Sequence, residues 1–88
     1  MVEFEFDEQK SKSNVSKHGI DFHHIQDIWD DPDVIEIPAK VKDESRFLVI
    51  GKYKGKCWSV IITYRHHKVR IISARRSRPE EVSIYECS

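Results

Sequence analysis

Between residues 46 and 76 the chain reads as apolar-rich strand segments separated only by short turns, and this stretch constrains the fold more than any other. Arg46 to Tyr53 and Cys57 to Arg65 read as strands, and Lys54-Gly55 between them as a tight hairpin turn whose glycine supplies φ > 0. A second hairpin turns at His66-His67 into a strand from Val69 to Arg76. Neighbouring strands joined this tightly must run antiparallel, so the stretch predicts a meander with an apolar face that something else has to cover.

The flanking segments supply the cover. Val2 to Phe6 alternates and reads as a short strand. Asp7 suits a helix N-cap, with Glu8 and Gln9 in the first turn, and Gly19 ends that helix after His18 as its left-handed residue. Val15 is nearly its only apolar side chain, so this is a surface helix displaying Lys10, Lys12 and Lys17. A second helix opens at Asp21, with Ile20 and Ile25 as a hydrophobic staple. It turns Phe22, Ile25, Ile28 and Trp29 to the core and stops at Asp30-Asp31-Pro32. A short strand runs from Val34 to Ile37. A last helix opens at Ser77, with Ser77 and Glu80 as a capping box and Pro79 in the first turn. The expected fold class is α+β: an antiparallel sheet covered on one face, with two N-terminal helices and a short C-terminal helix.

The 88 residues make one domain, and 39% hydrophobic content is enough for a core. No stretch approaches the ~18 apolar residues of a membrane span, and the acidic start Met1-Val2-Glu3-Phe4-Glu5 is unlike a signal peptide. The expected location is therefore cytoplasmic, with no membrane partner. Cys57 and Cys87 are too few for a disulfide framework and read as ordinary thiols. A net charge of zero conceals a division. Residues 1–45 carry 12 acidic and 5 basic side chains, a balance of −7, and residues 46–88 carry 3 and 10, a balance of +7. Such a split points either to a surface for nucleic acid or an acidic partner built from the second half, or to halves that neutralise each other.

Two sets of residues carry a family resemblance. Phe6-Asp7, Lys10, Asn14, Lys17-His18-Gly19-Ile20 and Phe22 form the first, and Arg70-Ile71-Ile72-Ser73-Ala74-Arg75-Arg76 with Glu81 and Tyr85 the second. With Arg46, Gly51, Gly55, Thr63 and Arg65 between them, they resemble the BrnT-like toxins over nearly the whole chain. The resemblance implies a RelE-like fold, ribonuclease activity and a BrnA-like antitoxin partner. It also implies contact with operator DNA only through the antitoxin complex.

Ribonuclease chemistry of this kind needs few parts. A base takes the proton from the ribose 2′-OH, that oxygen attacks the adjacent phosphate, cations stabilise the charge, and an acid protonates the leaving 5′-oxygen. His18 is the first candidate for base or acid, since an imidazole exchanges protons near neutrality; the plainer reading is a histidine at a helix C-terminus. Lys17 stands beside it. Arg46, Arg65 and Arg75 are candidates for phosphate, since an arginine continuing an apolar face at a strand end is placed for a cleft. Simple alternation puts Val69, Ile71, Ser73 and Arg75 on one face and Arg70, Ile72, Ala74 and Arg76 on the other. Arg76, Arg78, Lys54 and Lys56 are expected to bind RNA, or else to be solvated surface charge. Tyr85 is the aromatic expected outside the core, against RNA or the antitoxin. His23-His24 and His66-His67 lack partners at zinc spacing, so no metal and no cofactor are expected.

Three functional readings stand on these residues. The first is a metal-independent endoribonuclease that cleaves mRNA and inhibits translation. The second is a non-enzymatic module that binds nucleic acid or an antitoxin, and the third an inactive relative kept for its partner.

Overall fold

In the computed structural model, which describes residues 2–39 and 45–87, the elements follow the expected order. They are β1 (Phe4–Glu5), α1 (Glu8–His18), a 3-10 helix (His24–Asp30), β2 (Ile35–Ala39), β3 (Arg46–Tyr53), β4 (Lys56–Arg65), β5 (Lys68–Arg76) and α2 (Pro79–Cys87). The strands form one five-stranded sheet in the order β1-β5-β4-β3-β2. β2 to β5 form the predicted antiparallel meander, but β1 pairs parallel to β5, Phe4 beside Val69 and Glu5 beside Arg70. The sheet is therefore mixed, not antiparallel throughout: the first strand joins the last, which no local pattern announces.

Both hairpins close through two-residue turns with positive φ at each position, 52° and 77° at Lys54-Gly55 and 52° and 66° at His66-His67. The core lies on the sheet face bearing Val49, Trp58, Val60, Ile62, Val69, Ile71 and Ala74. Ile20, Phe22, Ile25 and Ile28 seal that face. Phe22, Ile25 and Ile28 recur every third residue, and in a 3-10 helix such positions eclipse one another along one line. That is why the segment expected to be a second N-terminal α-helix is wound as a 3-10 helix. Its N-cap is His23, not Asp21, and the Asp21 carboxylate accepts the His24 N–H at 2.7 Å from just outside the helix. Gly51 lets this helix approach the sheet. A Cβ there would stand 3.1 Å from Ile28 Cβ and 3.1 Å from Val34 Cγ2.

α2 lies on the opposite face, so helices cover both sides of the sheet and not one. Its Glu81 reaches Ser59, whose side chain points away from that of its core neighbour Val60. The helix starts one residue later than expected. Glu81 at its third position accepts the Arg78 N–H at 2.9 Å, which takes the place of a Ser77–Glu80 box.

Candidate functional site

Gly19 (φ 81°) and the Asp7 cap bracket α1 as the sequence predicts. Lys10, Asn14, Lys17 and His18 stand at i, i+4, i+7 and i+8, one stripe of the helix. Asn14 docks that stripe on the sheet. Its amide donates to Ile20 O at 2.8 Å and to Ala74 O at 2.9 Å, and its Oδ1 accepts the Ala74 N–H at 3.4 Å. Asn14 thus serves β5 as a stand-in for a neighbouring strand beyond the end of β1. Buried Ser11 adds a second tie, accepting the Phe22 N–H at 2.9 Å.

Two clefts adjoin along this seam. One, of about 420 Å³, is lined by Lys10, Arg46, Thr63, Arg65 and Arg70, with Ser45, Tyr64 and Ile72. The other, of about 290 Å³, is lined by Lys10, Lys17, His18, Asn14 and Ser73, with Ser13, Phe22 and Ile72. Lys10 and Ile72 belong to both. Four of the five predicted catalytic residues, Lys17, His18, Arg46 and Arg65, are therefore brought to one continuous groove. No carboxylate lines it among the described residues. Arg70 is held there by an ion pair with Glu5 at 3.0 Å, across the β1–β5 pairing. Lys10, Lys17, Arg46, Arg65 and Arg70 thus give the groove a cationic lining.

Arg75 is elsewhere. In β4 and β5 Ile62 pairs with Ile71 but Ile61 pairs with Ser73, so Ile72 is an extra residue, a β-bulge. The bulge resets the alternation. Val69, Ile71, Ala74 and Arg76 share the core face, and Arg75 turns to the side covered by α2. There its guanidinium forks onto Glu81 through two bonds of 2.7 Å. Ser59 Oγ donates to the same carboxylate at 3.0 Å and meets Ser77 Oγ at 2.8 Å. The Arg75 guanidinium pulls the Glu81 carboxyl down to about 2, against the opposing effect of burial. Arg75 thus anchors α2. The antiparallel register also separates it from Arg65: Arg65 pairs with Lys68 at one end of the β4–β5 ladder, and Arg75 pairs with Ser59 near the other. One cleft holding both arginines is excluded by that register.

The remaining predicted contacts gather at the Arg75 end. Lys54 and Lys56 flank the first hairpin turn, and Arg76 lies over the Trp58 ring, 5.6 Å from its centroid. Arg78 is exposed just before α2. Tyr85 departs from expectation. It is buried, 6% exposed, and its hydroxyl donates to Asp31, whose other bonds reach Asp33 N and Lys52 N. Burial and the Asp31 carboxylate push the Tyr85 hydroxyl well above the ordinary tyrosine range. Its ring pins α2 to the chain before β2 and offers no open surface for a base.

Sequence reading overlooked two groove residues, Lys10 and Arg70. The signal was present for Lys10, which shares a helical stripe with Lys17 and His18. Arg70 sat in the second motif, but only the β1–β5 pairing shows that it faces the groove. Among the described residues no three His, Cys, Asp or Glu side chains are grouped to hold a metal ion, and no helix is long and apolar enough to cross a membrane.

No curated protein matches the chain. A family model described as the ribonuclease toxin BrnT of type II toxin–antitoxin systems matches residues 6–81, which include α1, every groove residue and all but the first two residues of the β1–β5 platform. The chain belongs to the BrnT family of ribonuclease toxins of type II toxin–antitoxin systems.

Proposed function

We propose that this toxin cleaves mRNA without a metal ion, by attack of the ribose 2′-OH on its own phosphate, and so inhibits translation. The observation that carries this reading is the convergence of Lys10, Lys17 and His18 from α1 with Arg46, Arg65 and Arg70 from the sheet on one groove. The groove presents cations, hydroxyls and one imidazole, the groups that proton transfer and phosphorane stabilisation require. In this reading His18 moves the proton, Lys17 and Lys10 hold the phosphate beside it, and Arg65, Arg46 and Arg70 take up the developing charge. RNA supplies the nucleophile, and DNA, lacking the 2′-OH, is spared. The catalytic role first given to Arg75 becomes a positioning role through Glu81 and α2. A RelE-like arrangement, a cytoplasmic location, a BrnA-like antitoxin and operator contact through the antitoxin complex belong to the same reading.

Partner-free protein incubated with naked RNA in EDTA tests it, with Arg65→Ala and His18→Ala beside wild type. Cleavage to 2′,3′-cyclic phosphate ends by wild type, and its loss in both variants, is the expected result. Intact RNA with wild type, both alone and on translating ribosomes, would overturn the reading in favour of a binding module.

A further inference from the structure

A second positively charged surface lies at the other end of the sheet. Lys54 and Lys56 flank the β3–β4 turn and Arg76 covers Trp58, so three cations surround two aromatic rings, Tyr53 and Trp58. Lys54 Nζ lies 5.5 Å from the Tyr53 ring centroid. Tyr53, Lys54 and Trp58 line a depression of about 390 Å³, walled on its far side by Val15, Gly19 and Ile20 at the end of α1.

 The Trp58 indole N–H is buried and meets no acceptor among the described residues. Its one acidic wall residue, Asp21, is already engaged with the His24 N–H and imidazole.

The seam under α1 joins this surface to the groove. Lys10 lies in the first turn of α1, Lys17 and His18 line the groove at its last turn, and Gly19, the next residue, lines the depression. Cations line the groove side of this path at Lys10 and Lys17 and its far end at Lys54. β4 sets that length. Its ten residues, at ~3.3 Å each, separate Lys56 from Arg65 by about 30 Å, which matches the 31 Å long axis of the molecule.

We propose that Tyr53, Lys54, Lys56 and Arg76 form a second RNA subsite, which holds single-stranded RNA beyond the end of α1, about 30 Å from Arg65 at the far end of the groove. The inference rests on the ribonuclease reading above and adds to it a minimum substrate length. Cations beside a half-buried ring such as that of Tyr53 suit single strands, because phosphates meet the charge and any base can stack on the ring. At about 3.4 Å per stacked nucleotide, such a span takes roughly nine nucleotides, and fewer when the strand is extended. RNA shorter than the span cannot reach from Arg65 to the turn at Lys54 and Lys56.

The test compares wild type with Lys54→Asn/Lys56→Gln, in which asparagine tolerates the positive φ of the turn. Binding is measured with uncleavable 2′-O-methyl RNA of about four and about sixteen nucleotides, a range set by single-strand site sizes, and cleavage with the ordinary RNAs. For the long RNA the variant should bind five- to twentyfold more weakly, raise KM with kcat unchanged, and flatten the salt slope by about 1.4, at ~0.7 per lost phosphate contact. For the short RNA it should match wild type. Equal weakening at both lengths, or none at either, would overturn the second subsite, and the latter would assign the patch to a protein partner. Length-dependent binding without any cleavage by wild type would support the subsite while counting against the ribonuclease reading.

Discussion

Arg75 and Arg65 look alike in the sequence and differ in what surrounds them. Arg75 is forked onto a carboxylate that also receives Ser59 and the Arg78 N–H. Arg65 makes no ion pair among the described residues and lines the groove. Arg75→Ala should therefore lower stability by about 3 kcal/mol, since it leaves the buried Glu81 carboxylate without its cation. Arg65→Ala should change stability by less than about 0.5 kcal/mol while slowing cleavage by roughly 10²–10³-fold. Denaturant titrations and initial rates on the two variants separate the roles. At this scale the sequence was legible where a residue's role depends on near neighbours, as with the Asp7 cap, Gly19, or the stripe carrying Lys17 and His18. It was not legible for Arg75, Arg70 or Tyr85, whose partners Glu81, Glu5 and Asp31 are set by tertiary packing.

At the scale of elements, the bulge at Ile72 is the feature that local patterning missed. A bulge is a property of two paired strands, and nothing in β5 alone marks the extra residue. The 3-10 helix is a different case, since its period of three was present in Phe22, Ile25 and Ile28. Its contact with β3 gives one prediction. Gly51→Ala should destabilise the fold by about 1–3 kcal/mol, because the new Cβ meets Ile28 and Val34 with little room to yield. Thermal melts would measure it. The attachment of α2 gives another. The folded Glu81 carboxyl titrates near 2, below the ordinary 4.5. A depressed carboxyl stabilises the fold fully above its unfolded value and loses that contribution as pH falls toward its folded value. Stability should thus decline between about pH 4.5 and 2, by no more than about 3 kcal/mol, and Glu81→Gln should remove that part of the pH dependence in acid titrations.

Across the whole molecule, the antiparallel ladder decides which charges act together. The +7 second half was read as one surface, but sequence neighbours at a strand's two ends stand a molecule's length apart. Arg46, Arg65 and Arg70 gather at one end with Lys10 of the acidic half, while Lys54, Lys56 and Arg76 gather at the other. The charge split was a correct signal of a cationic surface and a poor guide to its shape. A short RNA confined to the groove should meet about four cations, so its log-affinity should fall with log-salt at a slope of about −3, taking ~0.7 per phosphate. Binding isotherms at several salt concentrations would show it, and a slope near zero would deny the groove an electrostatic role.

The parallel pairing of β1 with β5 also bears on how the toxin comes into being. Glu5 and Arg70 must meet across 65 residues of chain, so the groove cannot close until the last strand has left the ribosome. Elongation at about 5–20 residues per second leaves the nascent chain without its groove for several seconds. The chain is thus elongated without its groove, and any partner that recognises the finished groove can engage it only once β5 has joined β1.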